Sequence, residues 1–210
     1  MRDLRVFRVF FGFTVAALLP LTIQAQDLNP NYFYLAKGEP IARTIALGDP
    51  SNWYTAIEGR SGESAGGKVK VQPVNFKGEQ DAIQVSWSPR KKVVGNFSLV
   101  GDVINLSAVK DAVTLTLDMR VDVKPNKNLT VSLDCGYPCK GELSINKILK
   151  TMPQGEWFSL PLPLNCFKGD NFDLSKITGP FSMATEGKFT LSITNVRLEK
   201  LPEGDKGCAE

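Results

Sequence analysis

Four cysteines and the charged residues Asp118, Arg120 and Asp122 are the parts of this sequence that could carry chemistry. Cys135 and Cys139 lie four positions apart around a Gly-Tyr-Pro turn, whereas Cys166 and Cys208 are isolated singles. The close pair could be a redox site, half of a metal site or a disulfide. These interpretations belong to different classes of function, and the compartment of the protein decides between them.

The N-terminus indicates export. Residues 1–25 have the pattern of a secretory signal, in which a positively charged start precedes a largely apolar run, Val9–Ile23, and Ala25 ends an acceptable cleavage site. The apolar run is shorter than the ~20 residues that span a bilayer. We therefore expect a secreted or periplasmic protein of Gram-negative type, beginning near Gln26, with no membrane span after cleavage.

Export favours disulfides for all four cysteines, because exported domains with an even cysteine count usually form them. A zinc site at Cys135 and Cys139 would need two further close ligands, and a redox pair more often has the spacing Cys-x-x-Cys before a helix. Of the three connectivities that four cysteines allow, we predict Cys135–Cys139 and Cys166–Cys208.

Composition excludes several classes of function. The chain has no histidine, which rules out Ser-His-Asp triads, Cys-His dyads and histidine-ligated metals. The net charge is +3 and the charged residues are scattered, so no basic face for nucleic acid is indicated. The mature length of about 185 residues suits one domain with a real core.

The strongest local pattern is a predicted strand over Ala112–Lys124, where apolar and polar residues alternate strictly. Leu129–Leu133 runs back as the second strand of a hairpin, and Asp102–Leu106 is predicted as a short strand. We also expect an edge strand at Pro161 and Pro163, since proline interrupts the ladder of hydrogen bonds. About nine such strands, separated by turns, predict an all-β fold, a two-sheet β-sandwich.

The predicted domain boundaries follow the turn residues. Proline and glycine punctuate residues 26–66, which we interpret as an extended arm ending in a flexible loop. The β-sandwich is predicted over 67–200, with a bulge at Asn195 in its last strand. Residues 201–210 are then a tail that a disulfide holds.

A series of motifs in a fixed order resembles one known family. The motifs are Asp81-Ala-(x3)-Ser-Trp, Cys135-(x3)-Cys-Lys-Gly, Trp157-(x2)-Leu-Pro-Leu-Pro-Leu-Asn-Cys-Phe and Pro180-Phe-(x2)-Ala-Thr. They resemble the galactose-binding-like C-terminal domain of bacterial family 3 exo-β-glucanases of the ExoP type, over about residues 50 to 200. The resemblance implies a jelly-roll fold and carbohydrate binding. Because the two catalytic domains of that family are missing, it implies no glucanase activity.

The carboxylates of the long strand are not expected to form a catalytic pair. Glycosidases hold two carboxyl groups about 5 to 10 Å apart. Asp118 and Asp122 lie four residues apart on one face of a strand, which separates their Cα atoms by roughly 13 Å. We therefore expect no enzyme, and a small glycoside hydrolase is the least favoured interpretation.

Sugar binding instead needs a polar face with an aromatic ring beside it. Asp118, Arg120 and Asp122 share the outer face of the predicted strand. This face could bind a sugar if the sheet is concave there, and it is ordinary solvent-facing surface if the sheet is convex. Tyr137 and Trp53 lie in loop-like stretches and are the aromatic candidates. In contrast, Trp87 is predicted in the core, and so is Trp157, which lies near Leu160 and Leu162.

The leading hypothesis is a secreted, non-catalytic module that binds a polysaccharide or oligosaccharide, such as a β-glucan. The alternative is a structural or interaction protein that docks a separately encoded glycoside hydrolase or another envelope partner. No cofactor is expected. Jelly rolls often hold a structural Ca²⁺, to which Glu58, Asp81 and Glu199 could contribute, but no loop has the density of acidic residues that calcium sites show.

Overall fold

A computed structural model describes residues 28–89 and 92–208, so the predicted signal segment, 1–25, lies outside the described residues. The described chain contains fourteen strands, one short α-helix and three 3-10 turns. The strands are β1 (Phe33–Ala36), β2 (Glu39–Pro40), β3 (Thr44–Asp49), β4 (Asn52–Ala56), β5 (Gly62–Glu63), β6 (Val69–Val74), β7 (Ala82–Trp87), β8 (Gly95–Val100), β9 (Val113–Val123), β10 (Leu129–Asp134), β11 (Lys140–Ser144), β12 (Trp157–Pro163), β13 (Gly179–Thr185) and β14 (Phe189–Lys200). The helix is α1 (Asn146–Thr151), and the 3-10 turns are Ser107–Val109, Leu164–Cys166 and Leu174–Lys176.

The strands form two antiparallel sheets, which confirms the predicted β-sandwich. Sheet A has the order β12-β9-β14-β7-β6-β5, and β1 with β2 extends it beside the C-terminal half of β14. Sheet B has the order β11-β10-β13-β8-β3-β4. None of the helices in the described ranges is long and apolar enough to cross a membrane.

The core lies between the sheets and is built by the predicted alternation. In β9, Leu115, Leu117 and Met119 are fully buried, and so are Leu129 and Val131 in β10. Their neighbours along each strand point outward, because successive side chains alternate between the two faces of a sheet. The core aromatics are Tyr34, Trp87, Phe97, Phe167, Phe181 and Phe189.

The segment expected to be an extended arm is extended but does not lie apart from the sandwich. β1 pairs with β14 in sheet A, and β3 lies between β8 and β4 in sheet B. Burial explains the difference: Ile45 and Leu47 of β3 enter the core between closely spaced turn residues. The sandwich therefore recruits most of residues 28–66.

Of the smaller expectations, two are met and two are wrong. The predicted hairpin of Ala112–Lys124 and Leu129–Leu133 does not form, because β9 lies in sheet A and β10 in sheet B. The edge position of β12, which contains Pro161 and Pro163, is confirmed. The bulge in β14 is also present, with one extra residue between Ile193 and Asn195 opposite β9. The predicted strand at Asp102–Leu106 is wrong, because only a single bridge, Ile104 to Ile177, forms there.

Two disulfides close the fold with the predicted pairing. Cys135–Cys139 joins the ends of the turn between β10 and β11. Cys166–Cys208 fastens the C-terminal tail to the 3-10 turn after β12. Disulfides of this kind are typical of exported proteins.

Candidate functional site

The five residues predicted to bind sugar do not form one site. Asp118, Arg120 and Asp122 lie on the outer face of sheet A, whereas Trp53 lies in the edge strand of sheet B. Tyr137 is at the tip of the β10–β11 turn, at the other edge of sheet B. Since packed sheets are about 10 Å apart, the charged residues and the aromatic residues lie on opposite sides of the sandwich.

The charged residues of sheet A hold one another in place. Arg120 Nε donates to Asp122 Oδ1 over 2.6 Å, while Asp122 Oδ2 accepts from Ser192 Oγ and Gln84 Nε2 over 2.6 and 3.0 Å. The carboxylate therefore links three neighbouring strands. This arrangement makes a rigid polar surface rather than a set of mobile charges.

Asp118 belongs to a second cluster, next to the bulge in β14. Its Oδ1 accepts from Ser159 Oγ over 2.6 Å, and its Oδ2 accepts from Asn195 Nδ2 over 2.8 Å and from Arg197. Burial raises the pKa of Asp118, but these hydrogen bonds and the positive charge outweigh burial and hold the pKa below its ordinary value. Arg197 also pairs with Glu199 over 2.7 Å.

Trp157 lies on this outer face and not in the core, so its predicted position is wrong. It is paired with Arg120 in the β12–β9 register, whereas the neighbouring Phe158 is paired with the core residue Met119. The guanidinium carbon of Arg120 is 5.3 Å from the centre of the indole, and Phe76 approaches the same ring with a centroid distance of 4.3 Å. Both partners limit the area of the ring that a ligand could cover.

A groove of about 330 Å³ opens between these elements. Phe76, Trp157 and Phe158 form its apolar side. Its polar side consists of Asp118, Ser159, Asn195 and Arg197, with Lys77 at one end. This groove thus has the composition of a small-molecule site, in which apolar walls carry a few placed polar groups.

Asp81 shapes the loop that carries Phe76. Its carboxylate accepts from the backbone N–H groups of Phe76, Lys77 and Gly78 over 2.6, 3.0 and 2.8 Å. These three bonds fix the loop between β6 and β7 against the end of the groove. The carboxylate of Asp81 is consequently committed to the backbone, and no three acidic or cysteine side chains among the described residues come together as a metal site would require.

Sheet B has an outer face of a different kind, with small side chains along its middle. Ser132, Ser182, Ser98 and Ala46 are neighbours across four adjacent strands. All four are buried although they point away from the core, so this line is the lowest part of the face. Ser98 and Ser182 share a hydrogen bond of 2.9 Å between their hydroxyl groups. We call this line of four residues the serine floor.

An aromatic pair lies on the edge strand β4, opposite Gly48 and two residues along β3 from the serine floor, where Ala56 is the β4 neighbour of Ala46. Leu47 is paired with Thr55 and Asp49 with Asn52, so two residues, Trp53 and Tyr54, lie opposite Gly48 alone. At this bulge Trp53 is 58% exposed and Tyr54 is 55% exposed. A side chain at position 48 could not fit, because its Cβ would lie 2.4 Å from the Trp53 carbonyl oxygen. Within the described chain, neither ring contacts another ring or a cation.

Asp49 anchors the hairpin that presents this pair. The residue is 1% exposed, and its carboxylate accepts from Ser64 Oγ over 2.6 Å and from the N–H groups of Ser51 and Gly66 over 2.9 and 2.7 Å. Burial raises the pKa of Asp49, but these bonds outweigh it and lower the pKa to about 2. The carboxylate therefore ties the β3–β4 turn to the loop before β6.

Charged residues border the serine floor on the opposite edge. Lys140 and Glu142 are exposed on β11 and form an ion pair of 2.7 Å. Beside them, burial raises the pKa of Asp134 to about 6, and the Lys140 ammonium offsets only part of this effect. Tyr137 lies beyond this edge, 103% exposed at the turn tip.

Sequence reasoning missed the serine floor and Tyr54 as site components. A signal was present, because small residues alternate with core residues in β8, β10 and β13. The pattern does not reveal that the serines meet across strands. That follows only from the pairing of segments distant in the sequence.

The described fold is similar to solved carbohydrate-active proteins. The extra C-terminal domain of an exo-1,3/1,4-β-glucanase (ExoP) from a Pseudoalteromonas species matches with a TM-score of 0.68 and 21% identity, covering 85% of this chain and 99% of that domain. The whole glucanase matches with a TM-score of 0.66 and 20% identity over 93% of this chain, which spans 24% of the enzyme. The family 30 carbohydrate-binding module of a Clostridium thermocellum cellulosomal cellulase matches with a TM-score of 0.55 and 14% identity, covering 78% of this chain and 98% of that module.

No curated protein matches the chain. The family model of Exop_C, described as galactose-binding domain-like, matches residues 44–198. This range includes both sheets from β3 onward, and with it the serine floor, the aromatic pair and the groove. Because the match extends over well more than half of the sequence, the chain belongs to the Exop_C family of galactose-binding domain-like proteins.

Proposed function

We propose that this protein is a secreted, non-catalytic carbohydrate-binding module that holds a polysaccharide, a β-glucan or a related glycan, across the outer face of sheet B. One observation carries the proposal: Trp53 and Tyr54 are both more than half exposed beside a floor of small side chains. Adjacent exposed aromatic rings on a protein surface are typical of a binding or interaction site.

The chemistry of this face suits a sugar chain. An aromatic ring packs against the apolar face of a pyranose, and the low serine floor lets the following sugar units lie close to the sheet. Asn96, which is half-buried and lies opposite Gly48 in the next strand, supplies hydrogen-bonding groups beside the aromatic pair. Six strands give five interstrand spacings, or about 24 Å from edge to edge, which accommodates several sugar units in a row.

The relatives support the same class of ligand. The similar domain from Pseudoalteromonas is part of an exo-1,3/1,4-β-glucanase, and the other neighbour is a carbohydrate-binding module of a cellulase. Glucanase activity is not proposed for this chain, because it matches only the C-terminal domain of that enzyme. The carboxylates Asp118 and Asp122 are also held in ion pairs on a polar face.

Affinity electrophoresis in native gels that contain β-1,3-glucan, mixed-linkage β-glucan, β-1,4-glucan or galactan tests this proposal. We expect retardation by at least one β-glucan, and about tenfold weaker binding for Trp53→Ala or Tyr54→Ala. Tyr32→Ala is the matched control, since this tyrosine is similarly exposed but lies next to β1. Unchanged mobility in every glycan would sink the proposed function, and unchanged affinity of both variants would sink the site.

A second candidate function rests on the covalent link between the similar domain and a glucanase. A face of this sandwich would then dock a separately encoded glycoside hydrolase. A pull-down with the purified protein distinguishes the two functions: recovery of a hydrolase by a protein that no glycan retards would favour docking.

A further inference from the structure

The groove on the outer face of sheet A has spare hydrogen-bonding capacity. Asn195 uses one amide N–H on Asp118 and its oxygen on the Lys37 N–H, so its other N–H remains. Arg197 donates from Nη1 to Asp118 and from Nε and Nη2 to Glu199, and a guanidinium has further N–H groups beyond these. These donors are fixed in position, because ion pairs hold the Arg197 side chain and hydrogen bonds hold the Asn195 amide.

The charges of the groove are balanced, and its walls are apolar on one side. The Arg197 guanidinium lies between the carboxylates of Asp118 and Glu199, and Lys77 at the end of the groove is the second cation. A neutral ligand with acceptor oxygens therefore fits this groove better than an ion does. The volume of about 330 Å³ is at the lower end of small-molecule sites, which allows one or two sugar rings.

We propose that this groove is a second carbohydrate site, for one or two sugar units, and that the protein bridges two glycan chains. The Arg197 and Asn195 N–H groups donate to ring or hydroxyl oxygens, and the side formed by Trp157 and Phe76 contacts the apolar part of the sugar. The ligand class rests on the proposed function. The site does not, since it lies on the opposite side of the sandwich from Trp53.

A protein that bridges two glycan chains can be detected by light scattering, because binding at one face alone does not join chains. The protein should raise the light scattering of a soluble mixed-linkage β-glucan, because one molecule joins two chains. Ser159→Trp fills the groove from an exposed position on the edge strand β12. Lys70→Trp places the same side chain at an exposed position on β6 of the same sheet, away from the groove.

We expect Ser159→Trp to keep its retardation in glucan gels while losing most of the scattering, at least fivefold. Lys70→Trp should scatter as the wild type does. The double variant Trp53→Ala/Tyr54→Ala should lose most of its retardation and still bind a β-linked disaccharide. Equal scattering by Ser159→Trp and wild type would overturn the second site and leave the proposed function intact.

Trp157 offers a measurement that does not depend on the folding of a groove-filling variant. In Trp53→Phe the remaining tryptophans are the buried Trp87 and Trp157 in the groove. A saturable change in fluorescence on adding cellobiose or laminaribiose is the expected result. No change at concentrations up to tens of millimolar, with either disaccharide, would refute the second site even if the polysaccharide binds.

Discussion

Trp157 lies directly opposite Arg120 in the pairing of β12 with β9, and the guanidinium carbon is 5.3 Å from the centre of the indole ring. Phe76 contacts the same ring from the loop before β7. The indole therefore connects an edge strand, a loop and the outer face of the central strand. Although it lies on the outer side of the sheet, it contributes packing energy.

Trp157→Ala should lower the free energy of unfolding by about 2 kcal/mol, since it removes the ring contact and the cation–π contact together. Trp157→Phe should lose roughly half as much, because a smaller ring remains beside Phe76. Urea denaturation followed by circular dichroism measures both. Trp53→Ala is the control and should cost less than about 0.5 kcal/mol, as an exposed substitution. Equal losses for Trp53→Ala and Trp157→Ala would contradict the packing role.

Lys68 is a buried cation that joins loops at one end of the sandwich. It is 1% exposed, and its ammonium donates to the carbonyl oxygens of Ser88 and Glu186, each over 2.7 Å, with Gly187 at 3.5 Å. Ser88 follows β7 of sheet A, while the other two residues form the turn between sheets B and A. Burial lowers the pKa of Lys68, and the Glu186 carboxylate opposes this effect.

Lys68→Met should destabilise the protein by about 3 kcal/mol, because methionine fills similar space but cannot donate the hydrogen bonds by which the buried Lys68 joins the Ser88 and Glu186 carbonyl oxygens. Lys70→Met, at an exposed position two residues later on β6, should change stability by less than about 0.5 kcal/mol. Guanidinium denaturation provides the comparison. If the two variants unfold at the same denaturant concentration, the hydrogen bonds of Lys68 do not contribute to the free energy of unfolding.

Local alternation predicted the sandwich, its long strand β9 and the edge strand, because each depends on one segment of sequence. It did not show that β9 and β10 belong to different sheets, which depends on their pairing with distant strands. The position of Trp157 could also have been derived: it has the opposite parity to Leu160 and Leu162, and a strand places such residues on opposite faces. Proximity in sequence to leucines was the misleading signal.

Other features depend on contacts between distant segments and could not be predicted. The β3 strand is hidden between Gly38-Glu-Pro and Gly48-Asp-Pro turns, and only the partner strand β8 shows that Ile45 and Leu47 face a core. Likewise, the separation of Trp53 from Asp118 results from their assignment to different sheets. Whether two residues share a face depends on which strands pair, and one sequence does not show that pairing.

Stability should fall as the pH rises through the range in which Asp134 titrates. The pKa of its carboxyl is 3.8 ordinarily and about 6 in the fold, mainly because of burial. Between these values the folded state binds more protons than the unfolded state, so raising the pH disfavours folding, by about 3 kcal/mol in total. Lys140 and Glu142 on β11 have opposing effects on this pKa.

Asp134→Asn removes the buried negative charge and should therefore be more stable than the wild type above about pH 6, by up to ~3 kcal/mol, with the difference vanishing near pH 4. Thermal unfolding across this pH range measures the effect. A difference that stays constant across this pH range would contradict the raised pKa.

The two disulfides should differ in their contribution to stability according to the chain length that each encloses. Cys166 and Cys208 are separated by 42 positions, and Cys135 and Cys139 by four. Loop-closure entropy gives about 4 kcal/mol for the long ring and about 2 kcal/mol for the short one. Double alanine substitution of each pair, followed by guanidinium denaturation, tests the order. Because neither disulfide contacts the aromatic pair, both variants should retain glycan retardation at temperatures where they are folded. A larger loss from the Cys135–Cys139 pair would mean that this turn stabilises sheet B beyond closing a small ring.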